Sequence, residues 1–149
     1  MGDSQANVEK LKAAYRLWHE SGGRDASGWF DLAAEDLSIF SLGQGAVAME
    51  TIAPQMEFSA PAKGPGALAR YVEALQRDWE LLAMHTEEFI ADGDCVVMMG
   101  VGEVRCRGTG KTARSPLMHY WRFRDGKAVD FREFYDTAGA FAAATPDSA

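Results

Sequence analysis

The sequence predicts an α+β fold in which helices come first and a run of long antiparallel strands follows. Apolar residues at three- and four-residue spacing between Val8 and Trp18 are typical of an amphipathic helix. After about residue 82, Gly-containing turns at 92–94, 108–110 and 125–126 separate stretches rich in β-branched and aromatic residues. A group of helices followed by a strand meander indicates one layered α+β domain.

Three helices are predicted in the first half of the chain. The first should end near the Ser-Gly-Gly sequence at 21–23, and a second, short helix should follow it. Pro65 suits the first turn of the third helix. The apolar residues that define the three helices are Val8, Leu11, Tyr15 and Trp18, then Trp29, Phe30, Leu32 and Ala33, then Leu68, Tyr71, Val72, Leu75 and Trp79.

Strands are predicted on either side of the third helix. A first strand covers 37–42, and four more cover 82–91, 95–107, 112–124 and 127–136. Between them, residues 43–64 form an unusually long connection with weak periodicity, which favours a binding loop or lid. We expect it near the mouth of a pocket, with apolar contacts to ligand from Met49, Ile52, Met56 and Phe58.

The last hairpin carries His119 and Glu133 among apolar residues, which indicates either unseen polar partners or a pocket. A two-residue loop would pair Arg124 with Lys127 and place the two side chains on opposite faces. A three-residue loop with Gly126 in a left-handed bulge would pair Phe123 with Lys127, and we favour this register. His119 would then lie opposite Phe131 and diagonal to Glu133, at a backbone separation of about 7–8 Å. One face would hold Ser115, Leu117, His119, Trp121, Val129, Phe131, Glu133 and Tyr135.

Length and composition limit the classes of function. The 149 residues, 47% of them hydrophobic, predict a single domain over 1–149, with flexible tails at 1–6 and 142–149. The net charge of −7 argues against nucleic acid as a partner. There is no apolar run of the roughly 20 residues that would span a bilayer and no signal peptide, so we expect no membrane partner and a cytoplasmic protein. Cys95 and Cys106 lie too far apart on one strand to form a disulfide.

The strand from Cys95 to Arg107 is apolar on both faces, which predicts association. One face holds Val96, Met98, Gly100, Gly102 and Val104, and the other holds Cys95, Val97, Met99 and Val101. One face can line a pocket, so the other must be covered. We expect a homodimer through the outer face of the sheet.

The chain resembles the nuclear-transport-factor-2-like (NTF2-like) superfamily, and within it the SnoaL-like and ketosteroid-isomerase-related group. The resemblance extends from about residue 8 to residue 140 and rests on the order of elements and on several short motifs. These are Trp79-Glu80, Gly93-Asp94, Thr109-Gly110-Lys111, 121–127 (Trp-Arg-Phe-Arg-Asp-Gly-Lys) and 131–137 (Phe-Arg-Glu-Phe-Tyr-Asp-Thr). It implies a cone in which three N-terminal helices pack on a strongly curved, mostly antiparallel sheet and enclose a pocket. This superfold supports many reactions, so the fold does not fix the chemistry.

The resemblance implies roles for individual residues. Tyr15 and His119 fall where ketosteroid isomerases place the two hydrogen-bond donors of their oxyanion hole. Ketosteroid isomerase is a known case of pKa tuning. The catalytic base of those enzymes falls on Ser41, which cannot take a proton from carbon. Glu133 resembles the carboxylate with which limonene-epoxide-hydrolase-like proteins activate water, but their other two charged positions fall on Gly100 and Gly102.

We therefore predict Tyr15, His119 and Glu133 as catalytic residues of an isomerase, cyclase or lyase that acts on a small apolar oxygenated compound. The alternatives are a pocket that binds without turnover, or an epoxide-hydrolase-like hydrolase that uses Glu133. Each residue also has a structural interpretation: Tyr15 and His119 as hydrogen-bonded core residues, and Glu133 as the partner of an arginine. No metal or cofactor is expected. The predicted ligand contacts are Trp18, Phe40, Ser41, Gly100, Gly102, Leu117, Trp121, Phe131 and Tyr135.

Overall fold

The computed structural model describes residues 2–43 and 55–148, which form helices packed on one curved, open sheet. The helices are α1 (Gly2–Glu20), α2 (Ser27–Leu32), α3 (Ala67–Asp78) and α4 (Thr137–Ala144). The strands are β1 (Ala33–Ser41), β2 (Ala62–Lys63), β3 (Trp79–Asp92), β4 (Cys95–Cys106), β5 (Thr112–Arg124) and β6 (Lys127–Tyr135). The predicted α+β class and the predicted order of elements are confirmed.

The N-terminal helix buries the stripe that its spacing predicts. Leu11 and Tyr15 are almost fully buried, and Trp18 lies one turn further on in the same core. The helix ends at Glu20, shortly before Gly22 and Gly23, which are both at positive φ, and the Gly23 amide donates to the carbonyl of Trp18 at 2.9 Å. The segments predicted as tails are helical in part, since α1 starts at Gly2 and α4 extends to Ala144.

The sheet has the order β2-β1-β6-β5-β4-β3, with a single parallel pair, β1 and β6, among the described strands. The short C-terminal helix α4 starts after Asp136, whose carboxylate accepts from the Gly139 amide at 3.0 Å, as a helix cap does. The concave face of the sheet packs on α1, α2 and α3, so a site between helices and sheet draws residues from both layers.

The hairpin of β5 and β6 has a different register from the favoured one. Its loop has two residues, Asp125 and Gly126, both at positive φ, and Arg124 pairs with Lys127. The predicted pairing of Phe123 with Lys127 is therefore wrong. Val129 then forms a bulge, because Ala128 pairs with Phe123 and Asp130 pairs with Arg122.

The bulge moves the pairing by one residue, so that His119 lies directly opposite Glu133. The two side chains share a face, as predicted, but as direct neighbours and not on a diagonal. Val129 does not lie on this face; it borders a groove on the other side of the sheet with Arg122, Asp130 and Arg132.

The connection at 43–64 lies only partly in the described residues. Met49 and Ile52 fall outside them, so their predicted contacts stay predictions. Met56 and Phe58 are buried in a core cluster with Trp79, next to a short 3-10 helix at Glu57–Ser59. Met56 is fully buried in the core and does not line the cavity between helices and sheet, whereas Phe58 does line it.

Cys95 and Cys106 are free thiols, as the strand geometry predicted. No helix of the described residues is both long and apolar enough to cross a membrane.

Candidate active site

A cavity of about 410 Å³ lies between the helices and the concave face of the sheet. Its wall is mainly aromatic and aliphatic, with a few polar groups that converge on one region. The helices contribute Tyr15, Trp18, Trp29, Leu68, Tyr71, Val72 and Leu75, and the central strands contribute Gly102, Leu117, His119, Trp121, Phe131, Glu133 and Tyr135.

Tyr15 and His119 form a buried hydrogen-bonded chain with Trp121. The indole Nε1 of Trp121 donates to the Tyr15 hydroxyl at 3.0 Å, and that hydroxyl lies 2.6 Å from Nδ1 of His119. Since the hydroxyl accepts from Trp121, its own proton is available for Nδ1. When the Tyr15 hydroxyl donates to Nδ1, the imidazole proton is on Nε2, and Nε2 lies 3.9 Å from Oε2 of Glu133.

Glu133 accepts one hydrogen bond on each carboxylate oxygen. Ser41 Oγ donates to Oε1 and the Tyr71 hydroxyl donates to Oε2, each at 2.7 Å. No arginine bonds to this carboxylate among the described residues, so the interpretation of Glu133 as the partner of an arginine is wrong.

A chain of hydroxyl groups extends from Glu133 through Ser41. Ser41 Oγ lies 2.7 Å from Ser59 Oγ, which lies 2.7 Å from the Tyr135 hydroxyl. When Glu133 is ionised it can only accept, so Ser41 donates to it, Ser59 donates to Ser41 and Tyr135 donates to Ser59. A Cβ at Gly43 would collide with the Tyr135 hydroxyl, so only glycine fits beside this chain.

Burial shifts the acid and the imidazole in opposite senses. It raises the pKa of Glu133 from 4.5 to about 7, against the opposing effect of the hydrogen bonds from Ser41 and Tyr71. It lowers the pKa of His119 from 6.5 to about 3. The separation of 3.9 Å is short enough for an ion pair, but a neutral His119 forms none near pH 7.

The same burial keeps the surrounding phenols protonated. It raises the pKa of Tyr15 and Tyr71 above the ordinary value of 10, and it raises the pKa of Tyr135 to about 12. At pH 7 the site thus holds a carboxyl group at the midpoint of its titration among neutral donors. A group with this pKa can both take and return a proton.

The structure brings most of the predicted site residues together. Tyr15, His119 and Glu133 converge, and Trp18, Gly102, Leu117, Trp121, Phe131 and Tyr135 line the cavity. Ser41 is fully buried and reaches the site through its hydrogen bond to Glu133.

Phe40 and Gly100 do not line the cavity, which corrects two predicted ligand contacts. Side chains alternate along a strand, so Phe40 points away between the inward Ile39 and Ser41, and it packs against Phe134. A Cβ at Gly100 would collide with the His85 carbonyl oxygen, so this glycine permits close backbone approach and leaves no room for a ligand.

Two members of the polar network were missed by the sequence analysis. Tyr71 occupies the apolar stripe of α3, where it is indistinguishable from a core tyrosine. Ser59 lies in the weakly periodic connection, and nothing in the sequence marks it. A buried tyrosine hydroxyl does need a partner, however, and this was the available signal for Tyr71.

The SnoaL-like domain model matches residues 12–131, so the chain belongs to the SnoaL-like family. An NTF2-like protein of unknown function from Burkholderia pseudomallei K96243 is similar in structure, with a TM-score of 0.76 and 23% identity over 94% of this chain and 98% of that one. A protein of ketosteroid isomerase-like fold from Catenulispora acidiphila, crystallised with trimethylamine, gives a TM-score of 0.69 and 14% identity over 93% and 94% of the two chains.

A putative SnoaL-like polyketide cyclase from Mesorhizobium loti gives a TM-score of 0.64 and 20% identity over 86% of this chain and 97% of that one. No functionally curated protein matches the sequence. At these identities the solved structures establish the NTF2-like fold, which confirms the resemblance and the fold that the sequence predicted.

Proposed function

We propose that the protein is an acid-base enzyme of isomerase, cyclase or lyase type that acts on a small apolar compound bearing a carbonyl or hydroxyl group. The observation that carries this proposal is a buried carboxyl group, Glu133, beside Nε2 of a buried His119 in a mainly apolar cavity. Such a pair can move a proton at carbon while a donor polarises the neighbouring oxygen.

The proposed step uses Glu133 as the base. Its carboxylate removes a proton from the carbon next to a carbonyl, and the electron pair of that C–H bond moves to form an enolate. His119 Nε2–H donates to the enolate oxygen, and Tyr15 holds the imidazole in the tautomer that allows this. The protonated Glu133 then returns its proton to another atom of the same substrate, so the carboxylate is regenerated.

Ser41 supports this assignment of the base. The resemblance implied a catalytic base at this position, and a serine cannot serve. In this chain the Ser41 hydroxyl donates to Glu133 at 2.7 Å, so a carboxylate lies immediately next to the position where the family's base would stand. The serine acts as a positioning residue for Glu133.

A metabolite screen by mass spectrometry tests the proposal directly. Carbonyl compounds, lactones and epoxides are incubated with the protein, and both retention and conversion are measured. Conversion of carbonyl compounds supports the proposal. Retention without conversion supports a binding module, and conversion of epoxides alone supports a hydrolase that uses Glu133 to activate water.

Substitution of His119 with alanine is expected to weaken binding of carbonyl ligands. The carbonyl oxygen would lose its donor in a buried site, which costs about 1–3 kcal/mol, or roughly 5- to 150-fold in affinity. Titrations of 2-acetylnaphthalene and of 2-ethylnaphthalene, which lacks the oxygen, make the comparison. An equal loss for both ligands would show that His119 only shapes the cavity.

The proposal includes a homodimer through the outer face of the sheet. Ile90, Met99 and Met118 are 51%, 37% and 43% exposed on this face, and Met99 pairs with Met118, which in turn pairs with Phe134. Three adjacent strands thus present a continuous apolar row to solvent, which is typical of an interaction surface.

We expect sedimentation to show a dimer at micromolar concentration, and Met118→Asp to shift it to monomer because the substitution buries a charge in the interface. Glu73→Gln, at an exposed position on α3 and away from the outer face of the sheet, serves as the control. A wild-type monomer under these conditions would refute the dimer.

The free thiols Cys95 and Cys106 support a reducing compartment such as the cytoplasm as part of the same proposal.

A further inference from the structure

Three arginines line the mainly apolar cavity, Arg24, Arg107 and Arg114, and Arg114 is bonded to Glu103. Arg24 follows the end of α1, and Arg107 follows β4; both are exposed. Arg107 Nε donates to the Gln76 carbonyl at 3.1 Å, and the Gln76 side chain donates to the carbonyls of Gly23 and Arg24 at 3.0 and 3.2 Å. These bonds connect the two segments into one edge, and we call Arg24 and Arg107 the mouth arginines.

The acidic residues nearest to Arg107 in the sequence and in the sheet are bonded to other arginines. Asp78 bonds to Arg77 at 2.7 Å, Glu80 to Arg105 at 3.2 Å, and Glu103 to Arg114 at 3.0 Å. Asp136 also lines the cavity, but its carboxylate caps α4. Within residues 2–43 and 55–148, neither mouth arginine takes part in an ion pair.

This local charge contrasts with the rest of the molecule, which carries a net charge of −7. An acidic protein repels anions in general, so arginines without an ion pair at the edge of a cavity favour a negative group of the ligand there. Deeper in the cavity, the ionised form of Glu133 would repel the same group.

We infer that the ligand has an apolar body, which occupies the cavity, and an anionic group such as a carboxylate, sulfonate or phosphate, which stays at the mouth against Arg24 and Arg107. This inference deepens the proposed function and rests on the cavity as its ligand site. It orients the ligand: the anionic end faces solvent, and the carbonyl or hydroxyl end faces Glu133 and His119.

Two fluorescent dyes with one framework provide the test: 8-anilino-1-naphthalenesulfonate and N-phenyl-1-naphthylamine, which lacks the sulfonate. Binding is followed by energy transfer from tryptophan, since Trp18, Trp29 and Trp121 line the cavity. Arg24→Gln and Arg107→Gln should each weaken binding of the sulfonate by roughly twofold to fivefold, because solvent screens exposed charges, and should leave the neutral dye unchanged. The difference should shrink at 1 M salt.

Matched variants locate the effect. Arg70→Gln makes the same change of net charge on α3 at an exposed residue that does not line the cavity, and it should alter neither dye. Leu117→Trp, which fills the cavity, should remove both dyes, and Met118→Gln, its neighbour on the outer face, should remove neither.

The outcomes separate the two proposals. If the neutral dye binds in the cavity but the sulfonate dye responds equally to Arg107→Gln and Arg70→Gln, the inference is overturned and the proposed function stands. If neither dye is displaced by Leu117→Trp, the cavity is not the ligand site, and both proposals fall.

Discussion

Replacement of Glu133 with glutamine is expected to abolish turnover while leaving ligand affinity within about tenfold of wild type. Glutamine keeps the size of the side chain but cannot accept a proton at pH 7. Every step of the proposed reaction passes through the carboxylate, so the loss should fall on kcat and not on binding. Single-turnover assays of a substrate from the metabolite screen, with binding measured separately, give the two quantities.

The pH dependence of the wild-type reaction is the companion measurement. Because the base must be ionised, and its pKa is raised to about 7, kcat/KM should increase through pH 7 and then level off. His119 should contribute no inflection above pH 5, because it is neutral there. Full activity of Glu133→Gln would remove the central residue of the proposal and leave the binding module as the better account.

Glu133→Gln is also expected to gain stability relative to wild type as pH rises. In the folded protein the pKa of Glu133 is raised from 4.5 to about 7, so between these values the unfolded chain is ionised and the folded chain stays protonated. The wild type therefore loses stability as pH rises through this window. At about 1.4 kcal/mol for each pKa unit, the difference between the two proteins should grow on the order of 3 kcal/mol.

His119 has the opposite effect, in both proteins. Its folded pKa is lowered to about 3, so stability is lost as pH falls below 6.5. Between pH 4.5 and 6.5 the contributions of Glu133 and His119 to the free energy of unfolding change in opposite directions in the wild type. In Glu133→Gln only the contribution of His119 changes, so the free energy of unfolding increases with pH. Urea unfolding of both proteins at several pH values from 4.5 to 8 measures the difference. A constant difference across this range would show that Glu133 has an ordinary pKa.

The helices and strands were predictable because their patterns are local. The spacing of Leu11, Tyr15 and Trp18 identifies α1, and the alternation along β5 and β6 places His119 and Glu133 on one face. The Asp-Gly turn is typical of the two-residue loop that the structure has, but no local pattern marks the bulge at Val129. The Asp125-Gly126 loop takes the short form, and only the bulge at Val129 restores the shared face.

The residues of the candidate site were predictable where the family resemblance assigned them a role. They were less predictable where long-range packing determines which side chains meet. Phe40 and Ser41 are adjacent on a strand, so both could not face the cavity, and strand alternation alone excludes one of them. Tyr71 reaches Glu133 across 62 positions of sequence, and Ser59 reaches Ser41 across 18. Contacts of this kind depend on how α3 and the connection before it pack on the sheet, which no local pattern encodes.

The bulge at Val129 means that β6 has one residue more than β5 needs for pairing. A one-residue deletion between Ala128 and Glu133 could be absorbed by straightening the bulge, and His119 would still face Glu133. β5 has no bulge between His119 and Arg124, so a one-residue deletion there would turn the imidazole to the outer surface. Among relatives, changes in hairpin length that preserve the acid-base pair should therefore accumulate in the second strand and be rare in the first.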